Sequence, residues 1–138
     1  MPNHCINDLW IIGNEREVSE FLDFARSPDT EFDFNKFIPY PEHFAKMDRD
    51  KNEMSRDAFF EKYRTHYDGF NSGGYEWVNH HWGTKWNAYD VARRDYMGHV
   101  CLTFQTAWSP PIPVIEAAHA KFPHLELSLE FIERSTKP

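Results

Sequence analysis

The chain has 138 residues, with 22 acidic against 15 basic side chains, a formal net charge of −7 and an aromatic content of 17%. The aromatic content excludes a disordered chain, a coiled coil and a collagen, and the length predicts a single domain, 1–138, with its own core. The acidic balance argues against double-stranded nucleic acid as a partner, because surfaces that bind it carry an excess of lysine and arginine.

The absence of certain sequence features indicates the cellular compartment of the protein. No apolar run approaches the roughly 20 residues of a membrane span. The start MPNHCINDLW lacks a basic region followed by an apolar stretch. Two cysteines, Cys5 and Cys101, are too few for a disulfide framework. We therefore expect a cytoplasmic protein without membrane contact, and we expect both thiols to be core residues.

The chain opens with the pattern of a strand followed by a helix. Residues 4–13 are rich in β-forming residues and end in a glycine, with Leu9 and Ile11 on one face. Asn14, with Glu17 three residues later, is typical of a helix N-cap. The helix then carries one apolar stripe, formed by Val18, Phe21, Leu22 and Ala25.

A long segment, residues 32–85, separates this helix from the next predicted strand. Phe32 and Phe34 suggest at most a short edge strand before a proline-containing loop. Residues 42–52 are highly charged and predict a surface excursion. Ser55 predicts the cap of a helix over 56–67, and residues 75–82 predict one or two helical turns. The predicted stripe of the 56–67 helix is Phe59, Phe60, Tyr63 and Tyr67.

The second half of the chain predicts a hairpin, a helix and a last strand. From Trp86 the pattern has period two, and residues 88–93 and 100–107 alternate on either side of a Met97-Gly98 turn, as in an antiparallel hairpin. A proline cluster at 110–113 is typical of a helix start. The helix is expected to bury Ile112, Ile115, either Ala118 or His119, and Phe122. The last strand is expected to bury Leu125, Leu127, Leu129 and Phe131.

The predicted order is β-α-insert-β-β-α-β. It indicates an α+β protein of the ferredoxin-like, split β-α-β type. We expect a four-stranded antiparallel sheet with two helices on one face, and a helical insert over approximately 32–85.

The segment 77–86, WVNHHWGTKW, is the densest unusual feature of the sequence. Three tryptophans and two histidines in ten residues, with Trp108 to follow, are typical either of an aromatic binding pocket or of an anchor that fastens the insert to the sheet. The candidate ligand- or partner-binding residues are Trp77, His81, Trp82, Thr84, Lys85, Trp86, Asn87, Asp90 and Trp108.

Established catalytic and metal-binding motifs are missing. Adjacent His80 and His81 lack the i,i+3 or i,i+4 spacing that two ligands on a helix need. Gly83-Thr84-Lys85 lacks the upstream half of a phosphate-binding loop. Asp90 with Lys85 or His81 stays open as an acid–base pair. We predict no catalytic residue, no metal and no cofactor.

Four segments together resemble the YubB ferredoxin-like domain family of bacterial plasmids and phages. They are MPNHCINDLWIIG, FDFNKFIPYP, WGTKWNAYD and TAWSPPIPVIEAAHAKFP. The resemblance implies a ferredoxin-like fold and no established activity. Its hallmark positions fall at Asn3 and His4, 34–41, 82–87 and 107–111. Family members tend to carry Asn where this chain has His81.

Three functions are compatible with this pattern. The first is a non-catalytic binding protein of a mobile element that acts on a host protein of the bacterial cytoplasm, including a defence nuclease. Its grounds are the plasmid and phage setting that the resemblance implies, the missing catalytic motifs and the charge of −7, although acidity also serves simply to keep a protein soluble. The second is a small-ligand receptor or enzyme built on the Trp/His/Lys cluster. The third is a single-strand nucleic-acid binder that uses exposed sheet aromatics such as Tyr89, Tyr96 and Phe104. The oligomeric state is not predicted.

Overall fold

The computed structural model describes residues 3–63 and 74–134. The described elements are β1 His4–Ile12, α1 Glu15–Ala25, a 3-10 turn Phe34–Lys36, α2 Glu42–Glu53, α3 Arg56–Tyr63, α4 Tyr75–His81, β2 Tyr89–Tyr96, β3 His99–Ala107, α5 Ile112–Lys121 and β4 Glu126–Arg134. None of the described helices is long and apolar enough to span a membrane.

The four strands form one antiparallel sheet in the order β2-β3-β1-β4. The register places Leu9 of β1 opposite Leu102 of β3 and Leu129 of β4. This strand order, with α1 directly after β1 and α5 between β3 and β4, is that of the ferredoxin-like fold, and α2, α3 and α4 belong to the insert before β2. The α+β fold class predicted from the sequence is therefore confirmed.

The core lies between one face of the sheet and the helices α1 and α5. Leu9, Leu102 and Phe104 on this face are fully buried. The predicted stripe of α1 is confirmed, since the buried residues of that helix are Val18, Phe21, Leu22 and Ala25. The predicted cap is also confirmed: the Glu17 backbone N–H donates to Asn14 Oδ1 over 2.8 Å.

The insert extends this core with aromatic side chains. Phe32 and Phe34 do not form an edge strand: Phe34 begins the 3-10 turn, and both rings are fully buried. Their centroids lie 4.9 and 6.2 Å from that of Phe104. The prolines that follow prevent sheet pairing, while the rings pack on the sheet face instead.

The charged residues 42–52, expected to be a surface excursion, form most of α2. Only Met47 of this helix is buried. It packs with Phe59 and Tyr63 of α3 in a small cluster separate from the main core. The predicted helix over 56–67 is confirmed to Tyr63, and Tyr67 lies outside the described residues.

Three residues predicted on buried faces are exposed instead: Ile112 on α5 is 43% exposed, and Phe131 on β4 and Phe60 on α3 are each 46% exposed. On α5, Val114 and Ala118 are buried, whereas Ile112 and His119 are exposed. Val114 and Ala118, four residues apart, therefore share the inner face of α5 in place of Ile112. In β2, the pairing with β3 shifts between Tyr89 and Ala92. This bulge breaks the simple alternation expected there.

Candidate binding surface

The face of the sheet that points away from the helices is called here the open face. The register places on it the β1 side chains that alternate with the core residues, together with their neighbours on the other strands. Ile132 is 68% exposed and Tyr96 is 44% exposed. Within residues 3–63 and 74–134, no helix covers these two side chains.

Three aromatic rings form a group at one end of the open face. The centroid of Trp10 lies 5.5 Å from that of Tyr96 and 5.6 Å from that of His99. Tyr96 and His99 stack with centroids 5.2 Å apart and planes inclined by 16°. Such a group offers a broad, partly apolar contact area with polar edges, as protein- and base-binding surfaces do.

A polar network occupies the middle of the open face. The Thr103 hydroxyl donates to Asp8 Oδ1 over 2.7 Å, and Arg94 Nη2 donates to Thr103 Oγ1 over 3.2 Å. Arg94 also lies 3.7 Å from the Asp8 carboxylate and 3.5 Å from Cys101 Sγ. Arg94 therefore neutralises Asp8 and covers the Cys101 thiol, which is fully buried although it faces this side.

Carboxylates dominate the charge of the open face. Trp10 Nε1 donates to Glu130 Oε1 over 3.0 Å, and Gln105 Nε2 donates to Asp90 Oδ2 over 3.2 Å. Glu126, opposite Ile12 in the register, is exposed. Among the described side chains of this face, the acidic groups Asp8, Asp90, Glu126 and Glu130 accompany one guanidinium, that of Arg94. The face is net acidic.

Trp82, one of the nine sequence-predicted candidates, lies in the core. Its ring is only 5% exposed and contacts Phe34 and Tyr40. Its Nε1 donates to the Ile38 carbonyl oxygen over 2.8 Å. The indole therefore fastens α4 to the start of the insert.

Thr84 and Asn87 also make structural hydrogen bonds. Thr84 is fully buried and donates to the Ala107 carbonyl oxygen over 2.6 Å. Asn87 Oδ1 accepts from the Phe34 N–H over 3.0 Å, and its Nδ2 donates to Asp33 Oδ1 over 2.9 Å. Both side chains join the end of the insert to earlier or later parts of the chain.

Trp77 and His81 form a pair on α4. Their rings stack with centroids 4.5 Å apart, and His81 Nδ1 lies 3.0 Å from the Trp77 carbonyl oxygen. His81 is exposed, whereas Trp77 packs against the core with Trp82, 5.8 Å away. The pair therefore lies at the edge of the buried anchor, the cluster that Trp82 forms with Phe34 and Tyr40.

The other predicted residues lie near the start of β2 and the end of β3. Trp86 is 44% exposed, with Lys85 Nζ 5.1 Å from its ring centroid. Trp108 is 50% exposed. Asp90 and Trp108 both have a positive φ, 52° and 74°, a conformation rare for side chains of their kind. Tyr89, 6.3 Å from Trp86, is hydrogen-bonded to His4.

The structure therefore divides the nine candidates between a buried anchor and exposed positions at one end of the sheet. They do not line the groove of about 470 Å³ that lies between α1 and the β2–β3 hairpin. Within the described parts of the chain, no group of three or more histidine, cysteine, aspartate or glutamate side chains is arranged to hold a metal ion. A ligand pocket or acid–base pair built from these nine stays a prediction.

Comparison with known proteins agrees with the fold. Residues 81–137 match a family model described as a ferredoxin-like domain in Api92-like protein. The matched segment covers β2, β3, α5 and β4. No curated protein and no solved structure matches the chain. The fold and the match together define a protein of the ferredoxin-like class.

Sequence reasoning missed the group formed by Trp10 and His99 and the bond from Trp10 to Glu130. A signal was present, because Trp10 lies out of phase with Leu9 and Ile11 in a strand of period two. Of the sheet aromatics named for nucleic-acid binding, Tyr89 and Tyr96 do lie on the open face. Phe104 does not: it is fully buried under the insert.

Proposed function

We propose that the protein is a non-catalytic binding protein that holds a protein partner on its open face. The observation that carries this proposal is the aromatic group of Trp10, Tyr96 and His99 at one end of an uncovered sheet face. The exposed Ile132 lies on the same face, opposite Ile6 towards the other end. Exposed apolar side chains of this size, bordered by polar groups, are typical of protein interfaces.

The charge of the face favours a basic partner. Its carboxylates outnumber its one described guanidinium, and the whole chain carries −7. Opposite charge steers a partner towards such a face and disfavours acidic competitors. In keeping with the resemblance to plasmid- and phage-borne proteins, the proposed partner is a host protein of the bacterial cytoplasm, and a defence nuclease with a basic surface would fit this description.

Single-stranded nucleic acid is a second candidate, favoured by one observation. Tyr96 and His99 stack on an exposed sheet, and bases stack on rings presented in this way. The acidic charge of the same face opposes the approach of phosphates. We therefore place this candidate behind a protein partner.

A photo-crosslinking experiment tests the proposal. A benzophenone amino acid is placed at Tyr96 on the open face or, as control, at Ile112, which is 43% exposed on α5. Both proteins are irradiated in bacterial extract. We expect a discrete protein adduct from position 96 only. The adduct should disappear with Ile132→Asp and persist with Ile112→Asp, a charge-matched change on the helical side.

Two outcomes would overturn the proposal. One is the same adducts from both positions, or adducts insensitive to Ile132→Asp. The other is a shift of a labelled single-stranded oligonucleotide at low salt that Tyr96→Ala abolishes, which would favour the nucleic-acid candidate instead. Circular dichroism of each variant establishes that the fold is retained.

A further inference from the structure

The outer edge of β4 has no partner strand among the described residues. β4 pairs with β1 over its whole length, Glu126–Arg134, and stands last in the sheet order. Along a free edge, every second residue directs its backbone N–H and carbonyl oxygen outwards, ready to pair with another chain.

The other edge of the sheet, β2, is protected against such pairing. Its helix-side residues Arg93 and Asp95 are charged and joined by hydrogen bonds of 2.7 and 3.3 Å. A register shift between Tyr89 and Ala92 interrupts its regular geometry. Inward charges and bulges are the devices by which proteins block edge pairing.

On the side of β4 that faces the helices, the apolar side chains are incompletely buried. Leu127 and Leu129 are only partly buried although they pack against the main core. Phe131, next on the same side, is 46% exposed. An added strand with apolar side chains on this side would cover the outer flanks of all three.

On the open face, β4 presents a different chemistry. Glu126, Ser128 and Glu130 alternate with the leucines and are exposed. Oε1 of the Glu130 carboxylate accepts the hydrogen bond from Trp10 Nε1. Cross-strand neighbours of opposite charge stabilise a sheet, so the complementary side chains are lysine and arginine.

We propose that the β4 edge accepts an extended segment of the protein partner as a fifth strand, in which basic and apolar residues alternate. The inference rests on the proposed protein-binding function, because the added strand belongs to the same partner. Strand addition of this kind takes affinity from backbone hydrogen bonds and specificity from alternate side chains.

A second copy of this chain fits the edge less well. Joining two β4 strands edge to edge in one continuous sheet would bring a second set of Glu126 and Glu130 carboxylates to the same face. Like charges close together across strands destabilise the pairing.

Amide hydrogen exchange followed by NMR tests the inference on the full chain. The probe is a seven-residue peptide that alternates lysine and valine. Its controls are a peptide of the same composition with the lysines grouped at one end, and an alternating peptide of glutamate and valine. We expect the alternating lysine peptide to slow exchange by about 10-fold at every second residue of β4. Neither control peptide should do so.

Charge-reversal variants test whether the Glu126 and Glu130 side chains recognise the lysines of the peptide. Glu126→Lys with Glu130→Lys should weaken binding of the alternating lysine peptide by about 10-fold. Glu20→Lys with Glu116→Lys changes the net charge equally at exposed positions on α1 and α5, and binding should persist. Equal binding of the grouped peptide, protection outside β4, or equal loss in both double variants would overturn the inference. Slowed exchange of the same β4 amides without peptide, increasing with protein concentration, would instead assign the edge to a second copy of the chain.

This result can be separated from the test of the proposed function. If the adduct at position 96 forms but is unchanged by Glu126→Lys with Glu130→Lys, and β4 binds no peptide, the open face is a binding surface and the edge is not. If β4 binds the peptide and no specific adduct forms at position 96, the edge alone is a binding surface.

Discussion

Thr84 Oγ1 donates a hydrogen bond of 2.6 Å to the carbonyl oxygen of Ala107, and both residues are fully buried. Next to this bond, the hydroxyl of Ser109, two residues after Ala107, donates to the carbonyl oxygen of Gly83, also over 2.6 Å. The WGTKW and TAWSPP segments, which stand out separately in the sequence, are thus bonded to each other. Gly83 has a φ of +78°, and a Cβ there would lie 2.6 Å from Pro113 Cδ, so only glycine fits this junction.

Replacing Thr84 tests the strength of this junction. Thr84→Val removes the hydroxyl at nearly constant volume, while the Ala107 carbonyl oxygen still accepts from the Ser109 N–H over 2.9 Å. The free energy of unfolding should therefore fall by about 0.5–1.5 kcal/mol, as for the loss of one hydrogen bond. Urea denaturation followed by circular dichroism measures the loss. Thr84→Ser retains the hydroxyl and should lose less. A larger loss for Thr84→Ser than for Thr84→Val would show that the methyl group, and not the hydrogen bond, matters at this position.

Trp82 and Trp86 should differ sharply in their contribution to stability. Trp82→Ala removes a buried ring and its bond to Ile38, so we expect a loss of about 3–5 kcal/mol in the free energy of unfolding. Trp86 is 44% exposed, and Trp86→Ala should cost less than about 1.5 kcal/mol. Chemical denaturation of the two variants side by side measures both. Similar losses would mean that Trp86 belongs to the anchor as well.

Asp33 should make the free energy of unfolding depend on pH in the acidic range. Burial raises the pKa of Asp33, but hydrogen bonds from Asn87, Asn35 and Ser27 outweigh it, and the net pKa is lowered from the ordinary value of 3.8. The bonded carboxylate therefore contributes stability at pH values above 3.8 that is lost as the pH falls through the lower, folded pKa.

The variant Asp33→Asn isolates this contribution. The difference in the free energy of unfolding between the native protein and Asp33→Asn should be largest near about pH 6 and shrink towards about pH 3. The comparison is needed because burial raises the pKa of Asp48, against the hydrogen bond from Tyr40, which gives a contribution of opposite sign. A difference that stays constant with pH would contradict the role assigned to the Asp33 carboxylate.

The cap of α1 offers a separate test at the surface. Asn14→Ala removes the acceptor of the Glu17 N–H, 2.8 Å away, and should lower the free energy of unfolding by about 1 kcal/mol. Thermal or urea denaturation measures the change. Asn14→Ser supplies another good cap and should recover most of it. No recovery with serine would mean that the bond from Asn14 Nδ2 to Glu17 Oε1, 2.8 Å long, carries the effect instead.

The periodicity of the sequence was sufficient to predict the sheet and the first helix. In β1, the alternation of Leu9 and Ile11 with Trp10 follows directly from the pleat of a strand. In α1, the cap at Asn14 and the stripe from Val18 to Ala25 are local properties of the chain. The topology followed because few arrangements accommodate a β-α-β-β-α-β order.

The local sequence pattern could not predict which helices or loops cover each face of the sheet. The alternation in β3 is compatible with an exposed Phe104, but Phe32 and Phe34 from the insert bury its ring. The charged α2 has only one buried residue, Met47, so its helical state depends on packing with α3, which no short window contains.

Composition and periodicity involve neighbouring residues, so they were enough to predict an acidic ferredoxin-like protein with a tryptophan-rich insert. Three further relationships became evident from the three-dimensional arrangement: Trp82 anchors α4 to Ile38, Trp10 contacts Tyr96 and His99, and β4 forms an edge of the sheet where the core is incompletely covered. These relationships join residues from different strands and helices, and strand register and packing, rather than local spacing, bring them together.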